Sequence, residues 1–251
     1  SKESPMWVEI VDRYFNEPKE NQTTLCPNEL AVLTWSDTAE KTLLERNFQR
    51  MGLEKKLNVL PIDSEYKWMS KITQTLDVLK AIKNEYVMGL DAFDILILGK
   101  GTINETLDRF KASPCKVMYG AELTSWPGSN GHGTKLKEGL LYDMLVYTEN
   151  LEKVSYGWLN DYTFMRLCSG TWIGEREFLI KLYEYAQSLI PKGDETKDEN
   201  FFGGDQGFLR VAAAAHFPEV LLDYKCENFL NLSGTSKEHV LLKDDDGTVI
   251  V

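Results

Sequence analysis

The sequence predicts an α/β fold in one domain, a mostly parallel central sheet flanked by helices. Three observations carry this. Short apolar runs alternate with segments of helical periodicity from LAVLTW (30–35) through Phe110, the early runs end in polar or acidic turn residues, and no repeat or low-complexity segment divides the 251 residues. A chain of this length can bury one sizeable core.

Residues 1–28 mix Trp7, Val8 and Ile10 with a polar, Pro-containing tail, and read as an irregular or β lead-in to a domain at 29–251. LAVLTW is the first strand, and Ser-Asp-Thr (36–38) the turn and N-cap of a helix, AEKTLLERNFQRMG, that stops at Gly52. LNVLPI repeats the strand and 68–82 the helix. YVMGL (86–90) is a strand that ends on Asp91; Asp94 follows, then a second apolar run, 95–98. CKVMYGA (115–121) is a further strand leading to Glu122 and Trp126, and 129–139, with His132, is a Gly-rich loop. YTFMRLCSGTWIG (162–174) is apolar around a small Ser-Gly centre, as where a chain passes close to a ligand or another backbone. Residues 175–190 read as a helix. After a polar connection (191–200), Asp205 and Gln206 open another helix, whose macrodipole favours an ionised carboxylate at that end. The last stretch, 239–251, reads as a hairpin turning at Asp246-Gly247.

Composition excludes several partners. With 28 basic and 39 acidic residues the net charge is −11, and without a basic cluster the chain is a poor ligand for nucleic acid or an anionic membrane. No apolar run approaches the ~20 residues of a membrane span, and SKESPMWVEI lacks the features of a signal peptide. The 4 cysteines are too widely spaced for a zinc cluster; Cys115 and Cys168 read as buried thiols, with a disulfide through Cys26 or Cys226 left open. No pair of histidines has metal-binding spacing, which argues against a catalytic zinc.

The chemistry centres on Asp91 and Asp94. A strand that stops on an Asp delivers it to the carboxyl edge of the sheet, where open α/β folds bind ligands. Two carboxylates one tight turn apart can hold one face of Mg²⁺ or Mn²⁺, leaving the other positions to water and a diphosphate; the same pattern also serves as a plain solvated turn. The metal reading carries a condition: Asp91 and Asp94 facing away from any cleft, or locked in pairs with Lys or Arg, would end it. Residues 34–37, after the first strand, are a candidate base or ribose site or an ordinary cap, and Asp205 is a catalytic or merely capping carboxylate.

LDAFDILILGKGTINETLDRF, AELTSWP, LCSGTWIG followed by a helix, GGDQGFLR and NFLNLSG occur in that order between about residues 30 and 245. Together they resemble the glycosyltransferase domain of the procollagen lysyl hydroxylase/collagen glycosyltransferase family. The resemblance implies a GT-A-like, Rossmann-type fold and a Mn²⁺-requiring transferase. Its donor would be UDP-galactose or UDP-glucose, and its acceptor a hydroxyl of a protein or glycan, hydroxylysine or a hydroxylysine-linked glycan of a collagen-like protein among them. It further implies Asp91 and Asp94 as metal ligands, Phe93 as the aromatic stacked on uracil, Thr34, Trp35 and Ser36 as the nucleotide-holding strand end, Trp126 as a residue of the transfer step, and Asp205, with Gln206 beside it, as the last of an acidic catalytic cluster. It places the protein in the endoplasmic reticulum lumen if eukaryotic, in the cytoplasm if bacterial or viral. The chain departs from the family in three places. The acidic run before Asp205 is reduced to Phe-Phe-Gly-Gly, the family's Asn-Ser-Gly-Gly reads Cys168-Ser169-Gly170-Thr171, and its third metal ligand, a His, has no counterpart before Val251. These departures leave open a second expectation, a GT-A-shaped module that binds a nucleotide sugar or glycan without turning it over.

Overall fold

The computed structural model describes residues 15, 26–62, 67–97, 102–122, 166–190, 204–223 and 225–231. The first strand, β1 (Leu30–Ser36), leads to helix α1 (Leu43–Arg50), a 3₁₀ turn (Glu54–Lys56), β2 (Leu57–Pro61), α2 (Lys67–Ala81) and β3 (Tyr86–Leu90). Then come α3 (Thr102–Ala112), β4 (Val117–Glu122), β5 (Arg166–Glu175), α4 (Arg176–Ser188), α5 (Gly204–Ala215) and β6 (Val220–Asp223). The six strands form one sheet in the order β2-β1-β3-β5-β4-β6. Pairings β1–β2, β1–β3 and β4–β6 are parallel, and β5 alone runs against its neighbours β3 and β4. The expected mostly parallel, Rossmann-like α/β sheet is therefore present, with one reversed strand inside it.

Strand alternation divides the core into two layers. Ala31, Leu33 and Trp35 point to the face covered by α2, α4 and α5, where they meet Ile72, Leu76, Leu182 and Phe208. Leu30 and Val32 point to the other face, packed against Leu44 and Phe48 of α1 and Ile103, Leu107 and Phe110 of α3. Both faces of the sheet are covered, as its continuous apolar strands require.

Helix α1 is set by its ends. Its N-cap is Thr42, not the Ser-Asp-Thr turn after β1. The Thr42 hydroxyl accepts the Glu45 N–H at 3.3 Å and the Glu45 carboxylate accepts the Thr42 N–H at 2.9 Å, a capping box. Ser36 instead closes a local turn, its hydroxyl accepting the Thr38 N–H at 3.3 Å. At the other end Gly52 takes φ +73, and the Leu53 N–H reaches the Phe48 carbonyl at 2.9 Å, a Schellman ending that confirms the glycine stop.

The same helix holds the loop after β3. The Leu44 N–H, one of the four a helix start leaves unpaired, donates to the Ala92 carbonyl at 3.0 Å. Asn47, fully buried, accepts the Ile97 N–H at 2.7 Å and donates to the Ile97 carbonyl at 3.3 Å. One amide side chain thus does for Ile97 what a strand partner would do. The apolar run expected after Asp94 is accordingly no strand over 95–97 but a loop fixed from α1.

Two elements differ from the expectation. VLLD carries no strand signal of its own, yet it forms β6, because a short parallel strand at the sheet edge needs only β4 as partner. Residues 162–174 were read for their small centre and not for direction; reversed β5 is the outcome. The expected C-terminal hairpin, the Gly-rich loop with His132, and most of the N-terminal lead-in lie outside the described residues. The four cysteines are free thiols, so the open disulfide does not form.

Replacing Asn47 by Leu keeps its volume but strands the N–H and C=O of Ile97. A loss of about 2–4 kcal/mol in stability is expected, read by urea unfolding; a loss below about 0.5 kcal/mol would mean that water serves Ile97 equally well.

Candidate functional site

The sheet order locates the site. From β1 the chain turns outward through α1 to β2, then crosses back through α2 on the opposite face to β3 on β1's other side. The connection that leaves the carboxyl end of β1 runs to one side and the one that leaves β3, through α3 to β4, runs to the other, which makes the point between them the crevice where open α/β sheets take ligands. Ser36 ends β1 and Asp91 follows β3.

Asp91 meets a lysine there. Lys71 of α2 places its Nζ 2.7 Å from Asp91 Oδ1 and 3.4 Å from Asp205 Oδ2, so one ammonium joins the end of β3 to the start of α5. The ammonium also lies 4.7 Å above the Trp35 ring. Trp35 is held in turn, its indole N–H donating to the Thr75 hydroxyl at 3.0 Å, and that hydroxyl donating to the Lys71 carbonyl at 2.6 Å. Burial alone would lower the Lys71 pKa, but the charges of Asp205 and Asp91 and their hydrogen bonds hold it well above the usual lysine range, and the side chain stays protonated. For Asp205, burial pushes the carboxyl up; Lys71 opposes this and Asp91 adds to it. Two carboxyl groups share one ammonium.

A second polar chain runs beside the first. Gln206 donates to Glu122 at 2.7 Å, and its carbonyl oxygen accepts the Ser169 N–H at 3.0 Å. Glu122 ends β4, Ser169 lies in β5 and Gln206 in the first turn of α5, all three buried. Their meeting depends on an irregularity in β5. Tyr119 pairs with Trp172 but Gly120 with Cys168, leaving Ser169, Gly170 and Thr171 without partners on β4. Such bulges re-aim side chains next to sites. Gly170 makes room for Asp91: a Cβ there would lie 2.4 Å from Asp91 Oδ2, and the Gly170 carbonyl accepts the Asp91 N–H at 2.8 Å.

Of the residues expected to act, Asp91, Asp205 and Gln206 come together at this edge. Phe93 and Asp94 lie on the same turn and are exposed, Phe93 at 49 %. The side chains of Thr34 and Trp35 are buried, Trp35 against Trp172, which leaves any nucleotide-holding role of this strand end to its backbone. Strand alternation in a sheet covered on both faces sends both inward; Ser36 is buried too, and exposure begins with residues 37–40. Trp126 lies outside the described residues. The small Ser169-Gly170 centre carries a sequence signal; Lys71 carries none. Lys71 is one lysine in an amphipathic helix, and only the tertiary fold brings it to Asp91.

The condition set on the metal reading is not met at Asp91, which Lys71 holds. Asp91 keeps 37 % of its side chain exposed, while Oδ2 packs against Gly170, whose missing side chain is what makes room for it. Among the described residues no group of three or more His, Cys, Asp and Glu is placed to hold an ion. A cation at Asp91 would have to share a carboxylate that Lys71 already holds.

No protein-family model matches the chain, and no curated protein matches it either. Among the described residues no helix is long and apolar enough to cross a membrane.

Gly170→Ala must displace Asp91 or shift β5, and should cost about 1–3 kcal/mol in denaturant unfolding; an unchanged midpoint would show that the strand relaxes freely. Burial also raises the thiols: Cys26 and Cys115 go up, and Cys168 and Cys226 are each pushed up to about 12, with Glu122 and Asp91 adding to burial at Cys168. A raised pKa means less thiolate at any given pH. Iodoacetamide at pH 8 should leave Cys168 unmodified in the native chain and alkylate it in urea, as read by peptide mass spectrometry, and rapid native labelling would contradict this.

Proposed function

We propose that the chain is a UDP-sugar-dependent glycosyltransferase that moves galactose or glucose to a hydroxyl acceptor from the crevice between β1 and β3. What supports it is that Asp91 and Asp205, which motif reading singles out in distant segments, lie together at the switch point; the Lys71 pair on Asp91 weighs against a cation there. The hydroxylysine acceptor, the Mn²⁺ dependence and the luminal setting belong to the resemblance stated above.

In this reading Asp91 and Asp94 would hold Mn²⁺, which when bound neutralises charge on the departing diphosphate. Exposed Phe93 offers its ring to the uracil face. The bond from the anomeric carbon to the UDP oxygen breaks, the acceptor oxygen forms the new one, and carbon passes through oxocarbenium character. Asp205 either orients the sugar hydroxyls or takes the acceptor proton. Its burial, at 4 %, and its Lys71 contact favour the orienting role. Gln206, fixed between Glu122 and Ser169, sets the wall beside it.

The second reading, a nucleotide-sugar-binding module without turnover, is favoured by the same lysine. An ammonium already neutralises Asp91, and a site that needs no chemistry can keep it there.

Incubation with UDP-galactose or UDP-glucose, Mn²⁺ and hydroxylysine or galactosyl-hydroxylysine peptides separates the two. The transferase releases UDP, loses that activity with chelator, and loses at least about a hundredfold with Asp91→Asn. Calorimetric UDP binding without turnover on any acceptor selects the module; no UDP binding removes both.

A further inference from the structure

We propose that Phe15 is a strap on α1: its docking on Arg46 and Arg50 tightens that helix, and through the helix the arc from Ala92 to Ile97, so that the lead-in regulates how firmly the arc is ordered. The coupling stands on these contacts alone. Its effect on a nucleotide rests on the reading of Phe93 as a platform for uracil.

Two contacts place Phe15. The Arg46 guanidinium lies 4.4 Å over the centre of its ring, and Arg50 Nη1 donates to its carbonyl oxygen at 3.4 Å. The two arginines stand four residues apart, which puts them on one stripe of α1. Ring and carbonyl of one residue are thus taken by neighbouring turns of the same helix. Arg46 is exposed and Phe15 half-buried, so the contact closes at the surface and can open with the core intact.

The adjoining stripe of α1 carries the arc. Asn47, beside Arg46 in sequence and one turn before Arg50, takes both backbone groups of Ile97, and the Leu44 N–H donates to the Ala92 carbonyl at 3.0 Å. The helix has 8 residues, fewer than the roughly 12–15 at which an isolated helix becomes even marginally stable in water. It therefore owes its order to what touches it. Leu44 and Phe48 hold it to the sheet, the capping box and the Gly52 ending close its two ends, and Phe15 holds its outward side. Withdrawing Phe15 shifts α1 toward local opening, and Ala92 and Ile97 lose their partners when it opens.

Amide hydrogen exchange on the whole chain, read by NMR, tests this without any ligand. In Phe15→Ala, loss of the ring–cation contact should speed exchange by about threefold at Ile97, whose N–H Asn47 accepts, and at Leu53, whose N–H closes the end of α1; Leu182 in α4 should keep its parent rate. Phe15→Tyr, which keeps the ring, should restore the parent rates. Arg46→Met should reproduce the loss, and Arg46→Met combined with Phe15→Ala should add nothing to it. An unchanged rate at Ile97 in Phe15→Ala, or a rise shared equally by Leu182, overturns the strap. UDP affinity, by calorimetry, should fall in Phe15→Ala by the same factor as exchange rises. Unchanged UDP affinity beside faster exchange at Ile97 overturns the regulation of the arc's ligand. If the parent binds no UDP, the nucleotide reading of the arc falls, and the exchange rates still decide the strap.

Discussion

A single ammonium buried between two carboxylates is the constraint on which the edge of this sheet is built. Taking Lys71 out of water is costly, and only Asp91, Asp205 and the Trp35 ring offset it. Removing one partner of such a buried pair typically costs about 3–5 kcal/mol. The requirement reaches outward through the structure. Trp35 must lie flat beneath Lys71, so Thr75 holds its nitrogen; α5 must begin where Asp205 meets the amine; and β5 must carry a glycine beside Asp91. Five separate segments of the chain are thereby committed to one point in space.

The fold was legible because its signals are local. Apolar runs of strand length, helical spacing and the Gly52 stop each follow from a few neighbouring residues, and α2, α4 and β3 fall within a residue or two of where the pattern puts them. Direction was not legible. LCSGTWIG reads the same whether it runs with or against its neighbours, and β5 reverses because it fills the gap between β3 and β4 from the end of a long intervening stretch. VLLD was too short to announce a strand on its own.

The site was legible by half. Asp91, Asp205 and Gln206 stand at the ends of elements, where sequence position alone implies the sheet edge. Thr34 and Trp35 stand at a strand end too, but alternation between two covered faces decides where their side chains go, and that requires knowing that both faces are covered. Lys71 carries no motif at all. Its role arises from being opposite Asp91 in three dimensions, as Asn47's arises from facing Ile97, and polar residues on the inner side of a helix are where pattern reading is weakest.

The suspension of the turn after β3 has a bearing on energetics that goes beyond its geometry. Ala92 hangs from Leu44 and Ile97 from Asn47, so the short arc bearing Phe93 and Asp94, next to Asp91, is moored at both ends to one helix. A small molecule settling there finds its first contacts already frozen in place and spends little entropy on ordering them. Sequence drift in α1, far from any chemistry, would surface as slackened grip on whatever that arc holds.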